Sequence, residues 1–233
     1  MWIILAVFLA GFVYAGVPFI HAKISRLMLK RKVIASRAAV LTFDDGPGNR
    51  LTPAILDLLD KNNARATFFP LGTSIAGREE IIRQVQEKGH EICSHGYEHL
   101  HHWKVSPFRT LSDIKSGWIT IDKVLGTKRK KYPFRPPYGK LNIFSMLYLL
   151  VHHVPIVYWL DDSGDTWQIK PDSKRISILA KEAGGTVSLA HDFDRSDDSV
   201  DQMVLESTRS ILSVAKEENM RILTVSEFLN DGK

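Results

Sequence analysis

The chain has 233 residues, of which 44% are hydrophobic, and a formal net charge of +5. This length suits one domain with a sizeable core, and the single cysteine, Cys93, excludes an intramolecular disulfide. The charge favours anionic partners such as cell-wall polymers or lipid headgroups, and without a helix-turn-helix, RNA-recognition or zinc-knuckle pattern it does not indicate nucleic acid.

Residues 1–20 carry no charged side chain, and a membrane span needs about 20 apolar residues. A cleaved signal peptide is the rival interpretation, but no basic residue precedes the apolar run, as a signal peptide normally requires. We therefore predict an uncleaved transmembrane anchor at residues 1–22 and a basic juxtamembrane segment at 23–37. The basic side chains after the span place the remaining chain in the cytoplasm by the positive-inside rule.

Strand-like and helix-like segments alternate from residue 38 to the end. Strands are predicted at residues 40–45, 66–71, 90–94, 132–135, 156–160, 186–190 and 221–225. Helices are predicted at residues 53–61, 79–88, 111–125, 173–182 and 199–218. This alternation predicts an α/β fold with parallel strands and crossover helices, whose polar motifs follow the carboxyl ends of strands.

The first polar motif, at residues 42–47, puts Asp44 and Asp45 at the end of an apolar strand. Neighbouring strand residues face opposite ways, but the Gly46-Pro47 turn allows both carboxylates to face one site. One carboxylate is then available for a metal ion and the other for a proton. A structural Asp-Gly-Pro turn is the alternative interpretation of this motif.

A histidine pair favours the metal site over the simple turn. His95 and His99 are four residues apart, a spacing that puts both imidazoles on one face of a helical turn or tight loop. Two imidazoles and one carboxylate form a three-ligand site with an open position, which is typical of catalytic zinc.

Three further motifs follow in the chain. Residues 133–139 are too rich in proline for a helix or a central strand, so they predict a rigid loop that carries Arg135. Residues 159–167 contain three aspartates, Asp161, Asp162 and Asp165, before Trp167. An apolar run then ends in His191.

Together these motifs closely resemble the NodB-homology polysaccharide deacetylases, carbohydrate esterase family four. The family's ordered motifs TFDDGP, H-(S/T)-x-x-H, RPPY, D-x-x-D-W and L-x-H correspond to segments between residues 42 and 191. The resemblance covers residues 38–229 and implies a distorted (β/α)7 barrel, so we assign residues 38–233 to one deacetylase domain. Two departures are Gly96, where the family has Ser or Thr, and a fourth motif one residue longer than usual.

The resemblance also implies roles for individual residues. Asp45, His95 and His99 are expected to bind a divalent ion, in the first place Zn²⁺, with Co²⁺, Ni²⁺ or Mn²⁺ as alternatives. Asp44 is expected to act as general base, and Arg135 to keep it ionised. His191 is expected to protonate the departing amine, supported by an aspartate of the fourth motif. The longer motif leaves Asp161, Asp162 and Asp165 open for this role, and we name Asp162 as the candidate. Residues expected to contact substrate are Pro137, Tyr138, Trp167 and Leu189.

The function implied is metal-dependent removal of N-acetyl groups from amino sugars of a cell-envelope glycan such as peptidoglycan, exopolysaccharide or a chitin-like oligomer. Alternatives left open are deacetylation or deformylation of a lipid-linked amino sugar, O-acetyl esterase action on xylan-like chains, and glycan binding by a pseudoenzyme. The protein is expected to be a membrane-anchored monomer. The resemblance implies an extracytoplasmic catalytic domain, opposite to the positive-inside prediction.

Overall fold

The computed structural model describes residues 1–129 and 131–231, so the predicted catalytic domain is covered except at positions 130, 232 and 233. The strands are β1 (Ala38–Asp44), β2 (Thr67–Phe69), β3 (Glu91–Ile92), β4 (Asp161–Asp162), β5 (Thr186–His191) and β6 (Arg221–Ile222). The helices are α1 (Trp2–Gly11), α2 (Val17–Ser36), α3 (Leu51–Lys61), α4 (Gly72–Ile75), α5 (Glu79–Glu87), α6 (Pro107–Leu125), α7 (Ile143–Val151), α8 (Arg175–Ala183), α9 (Asp198–Glu217) and α10 (Val225–Asn230).

The strands form one parallel sheet that closes into a distorted barrel. Its order is β3-β2-β1-β5-β4, and β6 pairs with the start of β1. Single bridges from Ser94 to Phe134 and from Phe134 to Ile156 continue the sheet beyond β3. The chain from Ile156 leads directly into β4, which pairs with β5. The α/β class and the parallel strands are as predicted, but the strands predicted at 132–135 and 156–160 are reduced to these bridges.

The side chains of β1 explain how the barrel positions a site. Leu41 and Phe43 pack outward against the surrounding helices, whereas Val40 packs in the cluster inside the barrel. Because strand side chains alternate, Thr42 and Asp44 continue the inward row of Val40 towards the strand's carboxyl end. Asp44 is paired in register with His191 of β5, so two predicted site residues meet at that end.

Residues 2–36 form one continuous helix, here called the N-terminal helix, with a wider turn at Phe12–Gly16 between α1 and α2. It passes through the predicted boundary at residues 22 and 23, so the basic segment is helical as far as Ser36. From Tyr14 onward one face of this helix lies against the barrel, and Ala22 and Val33 are fully buried there. Its stretch Ile4–Ser36 is long and apolar enough to cross a membrane, although a signal sequence satisfies the same criterion.

Candidate active site

Asp44 forms a buried ion pair with Arg135 at the carboxyl end of β1. Arg135 Nη1 donates to Asp44 Oδ1 at 2.8 Å and to Thr42 Oγ1 at 2.7 Å. The guanidinium is fully buried and stacks over the Phe69 ring, 4.1 Å from its centroid. Burial raises the pKa of Asp44 to about 6, against the opposing effect of the Arg135 charge. The rigid proline-rich loop therefore fixes one carboxylate in a defined orientation.

Asp45 faces the same site because its backbone leaves the strand conformation. Its φ is 69°, in the left-handed region, so its side chain does not take the outward direction that strand alternation would give. Asp45 Oδ1 lies 3.5 Å from His95 Nε2 and 3.5 Å from His99 Nε2. This oxygen is buried and has no hydrogen-bond partner among the described residues.

Both histidines present Nε2 to Asp45. His95 Nδ1 lies 2.8 Å from the Arg135 carbonyl oxygen, and since a carbonyl only accepts, Nδ1 carries the proton. Burial holds the pKa of His95 well below its usual range and lowers that of His99, which favours the neutral form of both rings. His99 packs on the Tyr138 ring with centroids 4.5 Å apart.

The donor set of Asp45, His95 and His99 fits a divalent ion. The ligand atoms of these three residues all lie within 4.8 Å of one another. A tetrahedral Zn²⁺ with bonds of about 2.0–2.1 Å places its ligand atoms roughly 3.3–3.5 Å apart. The separations of 3.5 Å from Asp45 Oδ1 to each imidazole are close to this value. Neutral imidazoles are the form that binds a cation, and Asp45 Oδ1 accepts no hydrogen bond from the described residues.

Asp113 of α6 organises the turn between the two histidines. Its carboxylate accepts from Tyr97 N at 3.1 Å and from Glu98 N at 2.7 Å. A Cβ on Gly96 would lie 2.3 Å from Asp113 Oδ2, and Gly96 has a φ of +91°. The departure from the family's Ser or Thr is therefore matched by an aspartate that occupies this space.

We expect Gly96→Ser to lower the free energy of unfolding by about 2–4 kcal/mol, because the new Cβ displaces a carboxylate that makes two charge-assisted hydrogen bonds. Thermal unfolding and divalent-ion titration of the variant measure both effects, and weaker ion binding is expected as well. Gly77→Ser is the matched control, since Gly77 has a φ of +77° and no atom of the described residues lies within 4 Å of a Cβ built there. Equal losses in the two variants would show that backbone strain alone, not Asp113, sets the requirement for glycine.

His191 is held by Asp165, which corrects the prediction of Asp162. His191 Nδ1 donates to Asp165 Oδ1 at 3.0 Å, and Arg195 Nη2 contacts Asp165 Oδ2 at 2.5 Å. Asp162 instead accepts from Gly164 N at 2.8 Å. Burial alone would lower the pKa of His191, but the hydrogen bond and charge of Asp165 outweigh it and raise this pKa to about 9.

Asp165→Asn is expected to move the alkaline limb of the pH–activity profile to lower pH by about one to two units. A general acid works only while it is protonated, so activity falls as the pH rises through the pKa of His191. The amide keeps the ring oriented but removes the charge that raises this pKa. Asp162→Asn is the control and should leave the limb in place. An unchanged limb in Asp165→Asn would remove Asp165 from this role.

The predicted substrate-contacting residues have different surroundings. Leu189 lies in register with Thr42, inside the barrel and one step below His191. Pro137 is buried, whereas Tyr138 is 55% exposed beside the rings of His99 and His101. Trp167 is 41% exposed and stacks with the Arg175 guanidinium instead of lining the barrel interior. Their contacts with substrate stay predictions.

Three residues of the site had no role in the sequence interpretation. They are Asp113, Arg195 and Asp192, whose carboxylate accepts from Gly46 N at 3.1 Å and Thr52 Oγ1 at 2.7 Å. Burial raises the pKa of Asp192 to about 7, and the carboxylates at 44 and 45 add to this rise. Asp192 directly follows His191, and that adjacency is a usable signal. Asp113 lies in a helix that is outside every motif of the sequence, so no local sequence pattern indicates it.

Comparisons with known proteins find a matching family model and several relatives. The polysaccharide deacetylase family model matches residues 32–147. A peptidoglycan-N-acetylglucosamine deacetylase of Bacillus cereus is 31% identical over 194 residues, with 81% of this chain and 86% of that protein covered. The corresponding PgdA of Listeria monocytogenes is 27% identical over 86% of this chain, which spans only 40% of that longer protein.

A solved structure agrees with the fold. The crystal structure of the Bc1960 peptidoglycan N-acetylglucosamine deacetylase matches with a TM-score of 0.74 and 25% identity. The match covers 83% of this chain and 88% of that one. The parallel α/β barrel and its extent in the chain are therefore shared with a deacetylase structure.

Proposed function

This chain belongs to the polysaccharide deacetylase family, and on that ground we propose that it removes N-acetyl groups from amino sugars of a cell-envelope glycan. The observation that carries the proposal is the joint placement of three groups at one end of the barrel. These are the Asp45, His95 and His99 cluster, the Asp44–Arg135 pair and the His191–Asp165 pair.

Asp45, His95 and His99 would hold a divalent ion, with Zn²⁺ as the first choice. Such an ion lowers the pKa of a water molecule from about 15.7 towards about 7 and polarises the substrate carbonyl. The chain's own contribution is to hold two neutral imidazoles and one carboxylate in place. The carbonyl oxygen of Arg135 fixes the tautomer of His95, which leaves Nε2 free to bind.

Asp44 is the proposed general base. Its Oδ1 is engaged by Arg135, whereas Oδ2 lies 3.8 Å from His95 Nε2, on the side of the proposed cation. A proton taken from the attacking water would therefore arrive at Oδ2. The Arg135 charge favours the ionised carboxylate before this transfer.

His191 is the proposed general acid. Its Nε2 lies 3.9 Å from Asp45 Oδ2, and its Nδ1 is fixed by Asp165. The proton on Nε2 would pass to the departing amine nitrogen as the amide C–N bond breaks. The backbone N–H of Tyr138, in the loop that packs on His99, is the proposed donor to the developing oxyanion. The products are acetate and a free amino sugar.

The activity can be tested with the purified full chain and a soluble N-acetyl-chitooligosaccharide. We expect release of acetate and free amine, loss of the reaction after chelation, and recovery when Zn²⁺ is returned. Hydrolysis of acetylated xylan alone would replace the proposal with an O-acetyl esterase. Binding of the oligosaccharide without turnover in the metal-loaded protein would indicate a pseudoenzyme.

A further inference from the structure

The N-terminal helix runs antiparallel to β1, beside the barrel. Near its end, Val33 packs beside the start of β5, where a Cβ on Gly185 would lie 2.8 Å from Val33 Cγ1. About 10 Å earlier along the helix, the Arg26 guanidinium stacks 4.9 Å from the Trp159 ring centroid. A Cβ on Gly139, in the loop that carries the site arginine, would lie 2.8 Å from Arg26 Nη2, so the guanidinium lies beside this loop. Residues before Arg26 therefore extend beyond the catalytic end of the barrel, which is the end that holds the candidate active site.

Tyr14 fixes the helix on that side. Its hydroxyl donates to the carbonyl oxygens of His102 and Val105, both at 3.3 Å, in the loop that follows the histidine pair. Its ring also faces Phe144 of α7, with centroids 6.4 Å apart. Tyr14 lies roughly 18 Å beyond Arg26 along the helix. The loop at 102–105 and the start of α7 thus stand at the level of Tyr14.

This level falls within the apolar part of the helix. The exposed side chains around Tyr14 are apolar, among them Phe12, Val13, Phe19 and Ile20. The first charged side chain after residue 1 is Lys23. A bilayer around this apolar segment would therefore have its surface near Ile20. Tyr14 would then lie about 9 Å below this surface, inside the bilayer. That depth equals the ~5–10 Å to which interfacial protein elements enter a bilayer.

The outer face of α7 suits that position. Its exposed side chains are Phe144, Leu147, Leu150 and Val151, so the side that a soluble helix would make polar is entirely apolar. Phe108, at the start of α6 and close to the Tyr14 contact at Val105, is 84% exposed. We call Phe108 and these four α7 residues the apolar face. Its α7 part is continuous with the N-terminal helix through the Tyr14–Phe144 contact.

We propose that the apolar face enters the bilayer beside the N-terminal helix, with the catalytic end of the barrel turned towards the membrane surface, and that the substrate is an N-acetylated amino sugar carried on a lipid. This substrate class rests on the proposed deacetylase function. A sugar attached to a lipid headgroup stays within reach of a site held against the bilayer, whereas a distant polymer does not. The same geometry holds on either side of the membrane.

The test uses the full chain in nanodiscs and two substrates with the same N-acetylglucosamine group. One is linked through a diphosphate to a polyprenyl lipid in the disc, and the other is a soluble chitooligosaccharide. We expect the lipid-linked sugar to be deacetylated. In the double variant Phe144→Glu, Leu147→Glu, its turnover should fall by roughly tenfold, because each carboxylate opposes entry into the bilayer. Turnover of the soluble substrate should be unchanged.

Ile178→Glu is the matched control. Ile178 is 53% exposed, like Phe144 at 51%, but it lies on α8, which packs on β4, β5 and α9. It should leave both activities unchanged. A Phe144→Cys protein labelled with an environment-sensitive dye should be quenched by spin-labelled lipids, and an Ile178→Cys protein should not. The native Cys93 is buried and does not compete for the label.

The outcomes separate the two proposals. No deacetylation of either substrate by the metal-loaded protein would overturn the proposed function. Turnover of the soluble oligosaccharide alone, or lipid-linked turnover that the double variant leaves intact, would overturn the membrane proposal and spare the proposed function. A dye at position 144 that lipid quenchers do not reach would also overturn it, and would assign the apolar face to a second protein chain.

Discussion

Asp44→Asn is expected to lower kcat by about 10²–10⁴-fold while the divalent ion stays bound. The amide has nearly the shape of the carboxylate. Its oxygen can still accept from Arg135 Nη1, which in the wild-type protein lies 2.8 Å from Asp44 Oδ1. It cannot take a proton from water at the position of Oδ2. Because Asp45 and the two histidines are unchanged, metal analysis of the purified variant should give the wild-type stoichiometry.

The same substitution should also destabilise the protein, and the two effects must be measured separately. Arg135 is fully buried, and loss of the carboxylate leaves its charge without a counterion. Breaking a buried pair in this way costs up to about 3–5 kcal/mol. Circular dichroism and thermal unfolding establish how much variant is folded at the assay temperature, and kcat is then expressed per folded molecule. Wild-type kcat in a folded, metal-loaded variant would remove Asp44 from the role of base.

The site could be predicted from sequence where the chemistry lies on regular strands. The inward row through Val40, Thr42 and Asp44 follows from alternation alone. The register of Asp44 with His191 depends on the pairing of β1 with β5, which the sequence analysis did not predict. To predict that Asp45 faces the same site, a turn directly after the strand was needed as well, and the Gly46-Pro47 sequence indicated it. In the structure, the left-handed φ of Asp45 itself also contributes.

The aspartate that supports His191 could not be chosen from sequence. Asp162 lies on β4, but Asp165 follows in a loop where no periodicity defines the direction of a side chain. Contacts distant in the chain decide between them. Ser163 donates to Asp165 from within the loop, and Arg195, thirty residues later, pairs with it from another element. Such contacts exist only after β4 and β5 have paired.

The N-terminal helix shows a second limit of sequence patterns. The first charged side chain after the apolar run set the predicted end of the membrane anchor at residue 22, and the helix itself continues to Ser36. The basic side chains divide between two faces: Arg26 and Lys32 contact the barrel domain, whereas Lys23, Lys30 and Arg31 are exposed. Lys32 Nζ donates to the carbonyl oxygen of Leu229 at 2.9 Å. On the face of the helix that lies against the barrel, the hydrophobic side chains of Ala22 and Val33 are buried.

His95→Ala is expected to remove the divalent ion itself, with at least about 10²-fold weaker affinity and a matching loss of acetate release. His95 is the most buried ligand of the cluster, and its Nδ1 is fixed by the Arg135 carbonyl oxygen. Its Nε2 therefore needs no reorganisation to bind. Zn²⁺ titration of the chelated protein should restore activity in the wild type and leave the variant inactive.

His101→Ala is the control that separates ligand loss from loss of any imidazole near the site. His101 lies in the same loop and packs on Tyr138, but it is outside the Asp45, His95 and His99 cluster. The His101→Ala protein should therefore bind the ion with wild-type affinity. If His95→Ala retained one equivalent of tightly bound ion, the three-ligand site would be wrong. If both variants lost the ion equally, the loop's overall structure, and not the identity of its ligands, would determine binding.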